Sequence, residues 1–562
     1  MTMRALAASA AVTLGWPALA GATPPAQAAH GMVVTEQALA TKVGVDVLAH
    51  GGNAMDAAIA VGYALAVTDP CCGNIGGGGF MLVHKAKGGD VVIDFREYAP
   101  RRATAAMYQD ARGNVVAGRS TEGYLAAGVP GTVAGLEMAR TMFATRSRSE
   151  LMAPAIALAR EGFTLTAGDA SVLAPSTADF VKQPNVAAIF TRRDGTPLRI
   201  GDTLRQPQLA RTLQAIDAGG ADAFYRGDIA KRVLAASAAN GGILELDDFA
   251  QYRALVREPL RCMYHGYQLL TAPPPSSGGV TLCEILLTVD AYPFVSYGVN
   301  SAPAIHADVE AERLAYADRN TYLGDPAFVK NPVERLLSPP YIAALQKRIG
   351  DRATPSASVK GGLGPLERAQ TTHYSIADRD GNAVSVTYTL NGSFGANVIA
   401  SDTGFFLNNE MDDFTSKPGT PNIYGLVQGE ANAIAPHKRP LSSMAPTIAL
   451  RGGNVAIVVG SPGGSHIITV TLAVLQNIID FGLNVQDAVD LPRVHSQWLP
   501  DTVYFDSGAV TPEVRANLTA RGYTFSGQEQ WGLAEAIVID PQSGMFFGGS
   551  DRRRPDGLAL GY

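Results

Sequence analysis

TTHYSIADRDGNAVSVTYTLN, running from Thr371 to Asn391, reads as a β-hairpin: two β-favouring runs, Thr371 to Ala377 and Ala383 to Leu390, flank the turn sequence Asp378 to Asn382. Pairing Ala377 with Ala383 sets the register. Continued regularly, it places Thr389 opposite Thr371, with Cβ atoms roughly 4.5–5.5 Å apart. Val384, Val386, Tyr388 and Leu390 alternate onto one face, predicted to bury core, and Thr371, Thr387 and Thr389 share the other. Only a β-bulge would spoil this register. The preceding stretch, Pro355 to Gln370, has the composition of an exposed loop. A backbone break between Gln370 and Thr371 would free an α-amine beside a threonine hydroxyl, so that nucleophile and base share one residue. Threonine also opens strands simply for its β-propensity, and the pair alone does not choose between the two.

The rest of the chain bounds the answer. Its 562 residues, 46% hydrophobic, supply ample core, and a net charge of -6 without an extended basic run argues against nucleic acid. The Arg552-Arg553-Arg554 cluster, flanked by Asp551 and Asp556, is expected to be solvated or paired and is assigned no partner. Met1 to Arg4, the apolar Ala5 to Trp16 and the small residues Ala18-Leu19-Ala20 read as an export signal over residues 1–20, with a second cleavage point possible at about Ala28. The expected location is therefore periplasmic or secreted. No later segment has transmembrane character. Cys71, Cys72, Cys262 and Cys283 form neither a disulfide framework nor a metal pattern by spacing, and free thiols or a bridge both remain open. The nine histidines show no HExxH, so no cofactor or catalytic metal is expected.

Helical spacing marks Val43 to Val67, broken at Gly51-Gly52, and also Ala153 to Glu161, Leu204 to Leu213 and Ala302 to Tyr316. Phe80 to His84, Asp90 to Phe95, Thr447 to Leu450 and Val455 to Val459 read as strands. Gly76 to Gly79 lacks the Lys and context of a phosphate loop and is read as close backbone packing. Gly460-Ser461-Pro462-Gly463-Gly464-Ser465 lies between a strand and a helix beginning near His466, where it is either a tight turn or a site that turns backbone N–H groups toward an anion.

Taken in order, GGNAMDAAIAVGYALAVTDP (Gly51 to Pro70), GNIGGGGFML (Gly73 to Leu82), Asp94-Phe95-Arg96-Glu97, PPPSSGG (Pro273 to Gly279), YLGDP (Tyr322 to Pro326), Thr371 to Asn391, Leu407 to Phe414, KRPLSSMAPT (Lys438 to Thr447) and GSPGGS (Gly460 to Ser465) make the chain resemble the γ-glutamyltranspeptidases over nearly its whole length. The resemblance implies an α+β fold, the four-layer αββα sandwich of the N-terminal-nucleophile hydrolases. It also implies a precursor cut between Gln370 and Thr371 into a large subunit (residues 21–370) and a small one (371–562), which form a heterodimer. Thr371 would then be the nucleophile, Thr389 its orienting hydroxyl, and Gly463 and Gly464 the oxyanion site. Arg96, Ser442 and Ser443 would take a substrate α-carboxylate, and Asn391, Glu410 and Asp413 its α-ammonium. Asp413 to Leu426, including Tyr424, would be a lid. Implied substrates are glutathione and other γ-glutamyl compounds as donors, with water, amino acids or peptides as acceptors; neither nucleic acid nor membrane is a partner. Two positions depart from the family's usual pattern: Asp69-Pro70-Cys71-Cys72 in place of His-Pro, and Glu410 where several bacterial relatives carry Gln. The competing readings are a glutaryl-type β-lactam acylase of the same superfamily and a non-catalytic amino-acid-binding protein. No GxSxG is present, which disfavours a serine α/β-hydrolase.

Overall fold

The computed structural model describes residues 23–358, 371–527 and 531–562. Gln370 and the predicted export signal, residues 1–20, lie outside the described residues. The hairpin at Thr371 forms the centre of the fold. Strands Thr372–Asp378 and Ala383–Thr389 pair antiparallel from Ala377↔Ala383 to Thr372↔Tyr388 without a register shift, as the sequence predicts. Glycines 76 to 79 bring the next strand against this hairpin. A Cβ on Gly77 would lie 1.8 Å from the Thr389 carbonyl oxygen, and one on Gly79 would lie 2.3 Å from that of Thr387. Backbone lies where side chains would stand, and no phosphate cradle is formed.

Two seven-stranded antiparallel sheets are stacked. The first runs Leu558–Gly561, Gly31–Thr35, Thr372–Asp378, Ala383–Thr389, Gly78–Lys85, Gly89–Asp94, Leu255–Arg257. The second runs Ala26–Ala28, Phe546–Ser550, Glu535–Ile539, Asn454–Gly460, Thr447–Arg451, Tyr267–Thr271, Leu260–Tyr264. Each sheet draws strands from both sides of position 371. Helices Ala38–Ala49, Ala54–Thr68, Arg148–Glu161 and Pro207–Tyr225 share a core with the outer face of the first sheet. Gly278–Val289, Ala302–Tyr322, Ile467–Ile479 and Val485–Asp490 do so for the second. A third apolar cluster, including Met32, Phe80, Ile448 and Ile537, fills the space between the sheets. The result is the expected four-layer αββα sandwich.

Both faces of the hairpin are buried, which alters the expectation for its hydroxyl face. The apolar face docks on Ala54–Thr68, where Tyr374 and Tyr388 donate hydroxyl hydrogen bonds to the Ala58 and Gly62 carbonyls at 3.0 and 2.9 Å. The other face meets the second sheet. Two of its polar groups are satisfied across the interface, Ser375 Oγ donating to Glu535 O and Ser385 Oγ to Val459 O, while within the hairpin His373 Nδ1 lies 2.8 Å from Thr387 Oγ1. Burial pushes the His373 imidazole down to about 3, so it is neutral.

Local signals explain most element boundaries. The break at Gly51-Gly52 separates Ala38–Ala49 from Ala54–Thr68: Gly51 adopts φ +83°, and Asn53 and Asp56 form a reciprocal cap. The helix read from Leu204 instead begins at Pro207, because Thr203–Leu204 pairs with Phe163–Thr164 as a small sheet. Each arginine of the cluster is ion-paired, Arg552 at the surface with Asp490, and inward Arg553 with Asp506 and Asp551 and Arg554 with Asp69 and Glu36. All four cysteines are bonded, Cys71 to Cys72 and Cys262 to Cys283. No helix among the described residues is long and apolar enough to cross a membrane.

Candidate active site

One pocket at the end of the central hairpin is lined by Arg96, Thr371, Thr389, Asn391, Glu410, Asp413, Tyr424, Ser442, Ser443, Met444, Gly464 and Ile467. Of the site residues expected from the sequence, all those among the described residues are there except Gly463, which precedes the lining Gly464. Thr371 and Thr389 are 4% and 2% exposed, so the expected nucleophile and its neighbour are held away from bulk water.

The main chain around Thr389 turns sharply. Asn391 adopts φ +78°, its N–H donates to Thr389 Oγ1 at 2.8 Å, and its side-chain amide donates to the Asn409 carbonyl at 3.1 Å. This turn rests on the Cys71-Cys72 bridge, whose carbonyls accept from Phe394 N and Leu390 N. Asp69 lies close enough to both sulfurs to form a metal-like cluster, but it is ion-paired to Arg554 at 2.6 Å and the sulfurs are bonded to each other.

On the opposite wall, Ser442 and Ser443 follow a buried chain segment. Ser277 donates through both N–H and Oγ to the Ser442 carbonyl, and Arg319 Nη2 donates to Ser443 Oγ at 2.9 Å. Gly463 and Gly464 carry φ of +129° and +55°, turning the chain from strand Asn454–Gly460 into helix Ile467–Ile479. Tyr424 closes the pocket from the segment expected as a lid, its hydroxyl donating to the Asn391 carbonyl at 2.6 Å. Ile423 N and Asn422 Nδ2 tie the same segment to Asp412 and Asp413 at 2.8 and 3.2 Å.

The pocket's charges are paired with one another. Arg96, fully buried, donates from Nη1 to Glu410 and from Nη2 to Asp413, and from Nε to the Pro440 carbonyl at 3.3 Å. Glu97 lies 3.7 Å from the same guanidinium, and its two oxygens have no hydrogen-bond partner among the described residues. Burial raises these acids against the downward pull of Arg96: Glu97 to about 8, with Glu410 and Asp413 also above the ordinary carboxyl range, and like charge adds to the rise for Glu97 and Glu410. Burial opposes the charge on Arg96, but Glu410 and Asp413 outweigh it and keep the guanidinium firmly protonated. Arg319, lowered by burial to about 10, is a second cation beside Ser443.

These paired carboxylates and the fork-shaped cation can offer both charges to a small zwitterion, with the Thr371 and Thr389 side chains lining the same pocket. Residues 40–561 match the family profile described as Gamma-glutamyltranspeptidase. The chain belongs to the γ-glutamyltranspeptidase family. It is 51% identical over 553 residues to a glutathione hydrolase proenzyme of Pseudomonas sp. (strain A14), an alignment covering 97% of this chain and 96% of that protein. A glutathione hydrolase proenzyme of Escherichia coli (strain K12) is 46% identical, with 96% and 93% covered. Among solved structures, cephalosporin acylase from Bacillus halodurans superposes with a TM-score of 0.85 at 27% identity, covering 99% of each chain.

Sequence reasoning missed the residues that hold this family's pocket together here. Arg319, Gln428 and Asn432 fix Ser443 and the Asp413 main chain; the two amides donate to the Asp413 carbonyl at 3.0 and 2.6 Å. Arg319 lies within a helix and the amides within a loop, and no spacing ties either to the motifs. The one available signal was a charged residue in the buried stretch of Ala302–Tyr322.

Proposed function

We propose that this chain is a γ-glutamyltransferase and glutathione hydrolase whose precursor is cut between Gln370 and Thr371. The single observation that carries this reading is the convergence of Thr371, Thr389, Arg96, Glu410 and Asp413 on one small buried pocket. The cut yields residues 21–370 and 371–562, which remain interwoven because both sheets need strands from each. The precursor is exported, and its signal ends near Ala20. A cut after Ala28 would delete the edge strand Ala26–Ala28, which pairs with Phe546–Gly548.

In the mature enzyme the α-amine of Thr371, with an ordinary pKa of about 7.7–8.0, takes the hydroxyl proton as Oγ attacks the γ-carbonyl. Thr389 orients that hydroxyl. Backbone N–H groups at Gly463 and Gly464 take the developing oxyanion, each such donor being worth about 2.7–4 kcal/mol. The proton passes to the leaving amine, and a γ-glutamyl-Thr371 ester remains. Water hydrolyses it, or the amine of an amino acid or peptide attacks and carries the glutamyl group away. A bound α-carboxylate takes Arg96, Ser442 and Ser443, while the α-ammonium takes Asn391, Glu410 and Asp413. Tyr424 and its segment cover the ester and exclude water.

Denaturing mass analysis tests the cut, and γ-glutamyl-anilide turnover tests the chemistry. Thr371→Ala is expected to stay whole and inactive, and Thr371→Ser to retain part of both properties; a cleaved, active alanine variant refutes the assignment. The glutaryl acylase reading, to which the full-length likeness to a cephalosporin acylase points, is decided by comparing γ-glutamyl- with glutaryl-anilide.

A further inference from the structure

Beneath the pocket, outside its lining, the fully buried Gln497 bonds to two chain segments that contribute to the pocket, at Tyr424 and beside Gly464. Its side-chain N–H donates to the Tyr424 carbonyl at 2.9 Å, on the lid segment. Its side-chain oxygen accepts from Ser465 Oγ at 2.6 Å, on the residue that follows Gly464. The same oxygen lies 3.0 Å from His495 Nε2. Because the amide N–H is committed to Tyr424, the oxygen must be the acceptor from His495, which makes that imidazole the Nε2–H tautomer. His495 Nδ1 then accepts from Thr469 Oγ1 at 2.8 Å. Burial holds His495 neutral, and His466, its ring tilted against it with centroids 4.0 Å apart, adds to that.

Each end of this network is fixed by one further bond. Ser465 is anchored through its carbonyl by the Tyr316 hydroxyl at 2.5 Å, and Tyr424 through its hydroxyl to Asn391 at 2.6 Å. Gln497 is thus a strut of one side chain between the turn expected to hold the oxyanion and the cover over the ester. Lys, Glu or a hydrophobe could not replace it without losing a bond, since the site needs one donor and a doubly accepting oxygen in a fixed fork.

We propose that Gln497 is a positioning residue that holds the lid closed in register with the Gly464–Ser465 turn, and so sets how the γ-glutamyl ester divides between water and an amine acceptor. The inference rests on the γ-glutamyltransferase reading given above. It separates the strut into two halves that can be broken independently. Gln497→Glu, in its ionised form, keeps an oxygen for Ser465 and His495 but has no hydrogen to offer the Tyr424 carbonyl, releasing the lid half; the variant is therefore assayed across a pH series, and the effect grows as the carboxyl ionises. Ser465→Ala removes only the half that reaches the oxyanion turn.

The test uses the processed enzyme with γ-glutamyl-p-nitroanilide as donor, measured with and without glycylglycine as acceptor. Loss of one neutral hydrogen bond predicts for Gln497→Glu a transfer-to-hydrolysis ratio about fivefold below wild type, with hydrolytic kcat changed less than that. Faster hydrogen exchange in peptides spanning residues 414–427 accompanies it. Ser465→Ala is expected to lower both rates together by a similar factor, with the ratio and lid exchange unchanged. Gln497→Met, which breaks both halves without adding a buried charge, lowers the rate and the ratio, and decides the matter if the glutamate variant does not fold. An unchanged ratio in the folded Gln497 variants overturns the proposal, as does an equal change in ratio for Ser465→Ala. Wild-type protein that releases no p-nitroaniline would instead refute the underlying activity.

Discussion

Replacing Arg96 by Gln tests the pocket's electrostatics most directly. The guanidinium is fully buried and holds Glu410 and Asp413, whose side chains are 1% and 11% exposed. Removing one partner of a buried ion pair strands the other, at a cost of about 3–5 kcal/mol. The penalty has a pH signature. Arg96 lowers the two acids against the upward push of burial, so its loss raises their folded pKa values further above the unfolded ones. An acid raised on folding stabilises fully below its unfolded pKa, and that stabilisation disappears as pH rises through the folded value. Arg96→Gln is therefore expected to match wild type near pH 4–5 and to fall progressively below it toward pH 8, measured by urea midpoint. In the double variant Arg96→Gln/Glu410→Gln, one stranded charge is gone, and much of the stability at pH 8 should return. Activity should not. If Arg96 holds the substrate carboxylate as proposed, two charge-assisted bonds, each worth about 1.5–3 kcal/mol, are lost in both variants, lowering kcat/KM by about two to four orders of magnitude. A single variant as stable as wild type at pH 8, or a double variant no more stable than the single, would refute the reasoning.

Three further perturbations probe the frame. Gly77→Ala drives a methyl to 1.8 Å from the Thr389 carbonyl, against backbone that cannot rotate away, so loss of soluble, cleaved protein is expected; an alanine variant with wild-type thermal stability would show that the strand contact is slack. Glu36, raised by burial and Asp69 to about 8 and bonded to His373 N at 2.9 Å, contributes stability that is complete below pH 4.5 and lost as pH rises through about 8. Wild type should thus lose more Tm than Glu36→Gln between pH 5 and pH 9, and parallel curves would exclude Glu36 as the source. Cys262–Cys283 ties edge strand Leu260–Tyr264 to helix Gly278–Val289 across 21 positions, so replacing both cysteines by serine should cost about 3 kcal/mol by denaturant unfolding, with catalysis retained.

The hairpin was legible because its information is local. A turn of five residues and strict alternation fix every partner, and the expected Thr371–Thr389 apposition follows from the observed Thr372↔Tyr388 pair. The Gly76–Gly79 contact was legible for a related reason, since four successive residues without side chains have few uses other than letting backbone approach backbone. What escaped was anything decided by distant chain. The hydroxyl face of the hairpin carries the polar pattern of a solvent-facing surface, yet it is buried, because Ser375 and Ser385 find carbonyls on a sheet whose strands lie 74 to 160 positions away. The same applies to Arg319 and Gln497, each ordinary in its own element and defined only by distant partners, Ser443 for the one and Tyr424 for the other.

The mutual pairing of Arg96 with Glu410 and Asp413 bears on which ligand the pocket accepts. Burying charges is expensive, but here that cost falls on folding, and the ions are already desolvated when the ligand arrives. An amino-acid zwitterion can exchange into the cluster one charge for one: its carboxylate replaces the acids on Arg96 while its ammonium replaces Arg96 on the acids. No ion is left alone. A glutaryl group brings the carboxylate but no ammonium, so it can capture Arg96 only by stranding Glu410 and Asp413, with Glu97 already 3.7 Å from the same guanidinium. Discrimination then comes from the ion pair that the wrong ligand breaks as much as from the contacts the right one makes. On that account the acids do not merely add affinity for a glutamyl group. Their attachment to Arg96 makes the ammonium a condition of entry, which is why the comparison of γ-glutamyl- with glutaryl-anilide reports on the ion-paired state of the empty pocket as well as on the reaction.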